Sequence, residues 1–153
     1  MKLRTKGFVI LLSSLALVLA FAAAQFQKSV RTVASAGSIK GLPDVAYDAQ
    51  AERYLVVWQE RSGSGDDRDI RARVLDLQGN PVSGILALAS SGRDERHPST
   101  AASGSSSWTV VWTTGTAVEA CTVDATGQAG GGRTLTGRAV RPGDRPGIGA
   151  SVR

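Results

Sequence analysis

The stretch YLVVWQE (Tyr54–Glu60) returns as WTVVWTT (Trp108–Thr114) about fifty residues later. An aromatic-x-Val-Val-Trp run places its first, third and fifth side chains on one side of a strand and the two between them on the other. In the first copy Tyr54, Val56 and Trp58 point one way, and Leu55 and Val57 the other. A strand with one wet face alternates apolar and polar residues, and this one does not. Both of its faces therefore ask for cover.

The match extends outward from these strands. Pro43, Ala46, Tyr54, Val56, Val57 and Trp58 fall on Pro98, Ala101, Trp108, Val110, Val111 and Trp112 with one gap opposite Gln50. Downstream, Ile70, Ala72, Asp76 and Gly79 fall on Val118, Ala120, Asp124 and Gly127. Upstream, Ala34, Ser35 and Gly37 fall on Ala89, Ser90 and Gly92. A third start at Pro146 follows Pro98 by 48 residues, where Pro98 follows Pro43 by 55. Self-similarity at such a period marks a repeat architecture. Each unit predicts four short strands: Val45–Tyr47, Tyr54–Gln59, Ile70–Asp76 and Ile85–Ala89, parted by Gly, Asp, Asn and Ser clusters that read as turns.

Four-stranded antiparallel sheets covered on both faces by their neighbours are the blades of a β-propeller, with about 40–50 residues per blade. The expected class is all-β, a propeller fragment of about two blades plus flanking strands, with a small β-sandwich as the alternative. The pattern P-x-V-A-Y, Y-L-V-V-W-Q and D-I-x-x-R-V-L-D-x-x-G-x-P, carried by Pro43, Val45–Tyr47, Tyr54–Gln59, Asp69, Ile70, Arg73–Asp76, Gly79 and Pro81, resembles the repeat of large exported bacterial β-propeller-like proteins. The second unit departs from it: Ala102 stands in place of the Tyr, and Thr122 and Val123 in place of Val-Leu. The resemblance implies a fold and export, and supplies no catalytic residues.

The N-terminus reads as a targeting segment. Lys2, Arg4 and Lys6 precede an uncharged apolar run, and Ala22 and Ala24 form a small-residue cleavage site. The expected organisation is a signal peptide over 1–24, an outer strand of a preceding blade over 25–42, blades over 43–97 and 98–145, and the start of a further repeat over 146–153. A secreted or periplasmic location follows, with no membrane span once the signal is removed; the other reading is a retained anchor. Two blades cannot close a ring, so the chain is expected to belong to a longer array, with assembly of three copies or a compact pair as alternatives. The partners in view are further blades or copies meeting at open sheet edges.

Composition restricts the chemistry. The first six residues hold three charges of the net +5, which leaves +2 for the remainder. Arg133, Arg138, Arg141, Arg145 and Arg153 lack interleaved aromatics and read as solvated loops, so nucleic acid is not an expected partner. Cys121 is the single cysteine and His97 the single histidine. The first excludes an intrachain disulfide and reads as a small buried residue. The second lacks the partners of a catalytic triad. Asp66, Asp67 and Asp69 offer hard oxygens to Ca²⁺, the one cofactor candidate, yet their spacing is not that of an EF-hand and the second unit has nothing equivalent. Trp58, Trp108 and Trp112 are candidate contacts for a ligand such as a sugar ring, set against core packing as the default for large apolar groups. Asp48, Glu52, Glu60 and Glu119 have no marked partner, so no carboxylate pair for glycoside hydrolysis stands out, and no enzyme is expected. What the chain suggests is an exported β-repeat binding or structural module. Part of a propeller carbohydrate-active hydrolase, or an oligomeric lectin-like ring, is the alternative.

Overall fold

The computed structural model describes residues 30–35, 37–61 and 65–135. The signal segment over 1–24 and the repeat start over 146–153 lie outside the described residues. All strands belong to one compact unit that begins at Thr32. They are β1 (Ile39–Asp48), β2 (Arg53–Arg61), β3 (Arg68–Leu75), β4 (Leu86–Ala89), β5 (Glu95–Ala102), β6 (Ser107–Thr114), β7 (Ala117–Asp124) and β8 (Arg133–Leu135). They form two four-stranded antiparallel meanders, β1-β2-β3-β4 and β5-β6-β7-β8. The protein is all-β with two blade-like sheets.

The two units agree in backbone detail. Register shifts interrupt β1 between Gly41 and Asp44, and β5 between Arg96 and Ser99. Each shift contains the proline of its repeat, preceded by a residue of positive φ: Leu42 at 47° and His97 at 55°. A proline has no N–H for the ladder, so a bulge is where a strand can hold it. For that reason each strand runs through its proline and starts several residues ahead of it, at Ile39 and Glu95. β1 thus takes up the end of the segment expected as an outer strand of a preceding blade; residues 30–35 carry no strand, although Val33 O accepts from Arg73 Nη1 at 2.6 Å.

The turns after β3 and β7 also coincide. Asp76 Oδ1 accepts from the amides of Gln78 and Asn80, and Asp124 Oδ1 from those of Thr126 and Gln128. Gly79 and Gly127 supply the left-handed residue, at φ 78° and 88°. A Cβ on Gly127 would stand 2.7 Å from Ser83 Cβ, so here the second sheet's turn lies against the first sheet.

Each sheet has a front, with Tyr54, Val56 and Trp58 or their equivalents Trp108, Val110 and Trp112, and a back, with Leu55, Val57 and Gln59 or Thr109, Val111 and Thr113. The core joins Leu55, Val57, Ile70, Ala72 and Val74 from the back of the first sheet to Trp108, Val110, Trp112, Cys121 and Val123 from the front of the second. Non-equivalent faces therefore meet. Removing one large side chain such as these from water contributes about 1.5–3 kcal/mol. Polar contacts fix the seam. Asp44 Oδ2 accepts from Thr100 N at 2.9 Å and Ser99 Oγ at 3.0 Å. Trp108 Nε1 donates to Ala46 O at 3.1 Å, His97 N to Gln59 Oε1 at 3.1 Å, and Arg53 Nη1 to Ala125 O.

Asp44 should hold the two sheets together. Asp44→Ala leaves the Thr100 amide and the Ser99 hydroxyl without that acceptor, and is expected to lower the unfolding free energy by about 1–2 kcal/mol in urea titrations. An unchanged midpoint would contradict a role for this contact.

Candidate functional site

The residues singled out in the sequence have well-defined places. All three tryptophans are buried: Trp58 is 4% exposed, Trp108 0% and Trp112 2%, which leaves no open ring face for a sugar to stack on. Each indole N–H has an internal acceptor. Trp108 bonds across the seam, Trp58 to Glu60 Oε2 at 3.1 Å, and Trp112 to Glu119 Oε2 at 3.1 Å. Asp66 and Asp69 are occupied by arginines, Asp66 by Arg61 at 3.1 Å and Asp69 by Arg71 at 2.7 Å. Among the described residues no group of three or more His, Cys, Asp and Glu side chains is arranged to hold a metal ion. His97 sits in the β5 bulge with Nδ1 3.3 Å from Thr113 Oγ1. Among the described residues no helix is long and apolar enough to cross a membrane.

The structure draws together a different set. A cleft of about 370 Å³ opens between the end of β4 and the second sheet, with Glu95, Trp112 and Glu119 on its second-sheet side, Ser91 and Arg93 on the β4–β5 connection, and Arg133 on β8. Glu95 is fully buried. Its Oε1 accepts from Ser91 Oγ, while its Oε2 has no hydrogen-bond partner. Thr114, directly opposite across the β5–β6 ladder, is also buried, and its Oγ1 likewise lacks a partner. Arg93 ties the outer wall together, with Nε on Ser91 Oγ at 3.1 Å and Nη2 on Glu119 Oε1 at 3.0 Å.

The equivalent corner of the first sheet is built with opposite charges. Lys40 lies opposite Glu60 in the β1–β2 ladder as Glu95 lies opposite Thr114, and Arg71 lies opposite Trp58 as Glu119 lies opposite Trp112. There one carboxylate gathers three partners: Glu60 accepts from Ser38 and Trp58 and pairs with Lys40 at 3.6 Å, while Arg71 is held by Asp69. Burial by itself raises the Glu60 carboxyl. The hydrogen bonds from Ser38 and Trp58 and the charges of Lys40 and Arg71 outweigh it and hold the group below its ordinary value. The first corner is thus closed, whereas the second leaves two buried oxygens without donors. Sequence reasoning missed Glu95. The signal was there in the ungapped stretch that runs from Ala34/Ala89 onward, which sets Glu95 on Lys40, a reversal of charge at a repeated position.

The chain matches no family model, no curated protein and no solved structure.

Two outcomes follow from these environments. Burial pushes the Cys121 thiol up to about 11, so at pH 8 a thiol reagent should leave the native protein unmodified and label one equivalent after unfolding; rapid native labelling would contradict the buried site. Glu60, depressed in the folded state, contributes stability above its unfolded value that is lost as pH falls through the folded value. Glu60→Gln should therefore flatten the acid limb of the stability profile below the ordinary carboxylate range, and an identical acid limb would count against the network.

Proposed function

We propose that the chain is an exported, propeller-type β-repeat module, one stretch of a longer array of blades, that serves as a binding or structural unit outside the cytoplasm. The observation that carries this reading is the packing of front on back. Two sheets related by a two-fold axis, as in a self-complementary sandwich, would bury equivalent faces. Here the front of the second sheet lies on the back of the first, the heterologous arrangement that can be repeated indefinitely or closed into a ring. The first sheet's own front supports further stacking. Its Val45 and Tyr47 are 58% and 43% exposed, while their equivalents Thr100 and Ala102 lie at the covered front of the second sheet. Export rests on the basic, apolar and small-residue order of residues 1–24.

A tandem duplication of Ile39–Leu135 tests the array. In a stack whose units contact only their neighbours, added units raise stability. The duplicated chain should unfold at a higher urea midpoint than the single chain. Two independent transitions at the original midpoint would sink the proposal. N-terminal sequencing of the chain recovered outside the cytoplasm should begin at Gln25, and retention of Met1 in the cytoplasm would remove the export half.

A further inference from the structure

We propose that the cleft beside Glu95 binds a small zwitterion carrying a primary ammonium and a carboxylate, the chemistry of a free amino acid. The case begins with unmet demand. Glu95 is 0% exposed, has one oxygen without a donor, and has no ion pair among the described residues. Thr114 Oγ1, its direct cross-strand neighbour, is a second buried oxygen without a partner. Leaving such groups unmatched in a dry site is costly. An ammonium brings three N–H donors and a positive charge, which match the carboxylate of Glu95 in the cleft wall. A neutral hydroxyl brings a single donor and no charge.

The other end of the ligand is set by Arg133. It lies on the exposed strand β8, lines the same cleft, and has no partner among the described residues. A guanidinium is a planar fork matched to a carboxylate. Arg93 is already engaged with Glu119. The two carboxylates and two guanidiniums of the cleft cancel overall, yet the unpaired ones, Glu95 and Arg133, are of opposite sign. The best complement is a molecule that is neutral in total and divided in charge. The cleft, about 370 Å³, has room for such a ligand. The fold does not require the unmet oxygens, because the equivalent first-sheet corner satisfies its carboxylate with Ser38, Trp58 and Lys40. Glu95 lies under Ser91 and Arg93, both on the exposed β4–β5 connection, so the ligand enters beside them.

This proposal is independent of the array and of export, and its failure would leave both standing. Calorimetric titration of the full chain with glycine, L-alanine, L-lysine and L-glutamate tests it, with propylamine, propionate and glucose as comparators. At least one amino acid should bind, with propylamine and propionate about tenfold weaker or worse. Glu95→Gln should abolish that binding, and Arg133→Gln should weaken it about tenfold. Near-UV circular dichroism checks that the Glu95 variant is folded; if it is not, Arg133→Gln, on an exposed strand, decides. Absence of binding by all four amino acids, propylamine binding as tightly as the amino acid, glucose binding alone, or unchanged affinity in Arg133→Gln would each overturn the proposal.

Discussion

The structure depends on the fit of one sheet's front to the other sheet's back. Trp108 is the centre of this contact: it is fully buried, and its indole N–H reaches across to a carbonyl of β1. Around it the apolar groups of β2 and β3 meet those of β6 and β7, and Asp44 ties the two proline bulges together. The hydrophobic contact has no direction of its own, so the seam's polar bonds give it register. The interface is heterologous: it uses the front of one sheet and the back of the other.

Against this common frame the two units have diverged where the contact does not constrain them. The bulges, the Asp-Gly turns and the positive-φ residues Glu52 and Ser106 ahead of β2 and β6 are shared. These features fix the path of the chain, and a change in any of them would move a strand. Tyr54 and Trp108 show the tolerated variation. The tyrosine stands beside Tyr47, with ring centroids 5.0 Å apart, on the more open front, while the tryptophan fills the seam.

The corner that holds Glu95 is the largest departure between the units. In the first sheet a carboxylate on β2 gathers donors from its own strand and from Ser38 and Lys40 at the start of β1. In the second the carboxylates have moved to β5 and β7, and Thr114 takes the place of Glu60. Charge reversal at equivalent positions changes what the corner can accept while leaving the backbone alone.

The sequence by itself determined the class of fold, the number of strands in each unit and the places where they turn. Those features rest on local chemistry: β-branched and aromatic runs such as Tyr54–Trp58, and Asp-x-x-Gly turns that close on their own amides; the bulges that carry β1 and β5 through Pro43 and Pro98 emerged only in the structure. The two-sided apolar character of β2 also announced a second sheet. Which face would meet which was decided by tertiary structure, since strand periodicity marks two faces without saying what covers either. The tryptophans read by default as core, with ligand contact as the other option, and their burial is a matter of packing. For Glu95 the sequence offered only a reversal of charge against Lys40, which says nothing of burial. Only packing shows that Glu95 is buried and that Ser91 donates to one of its oxygens while no described residue donates to the other.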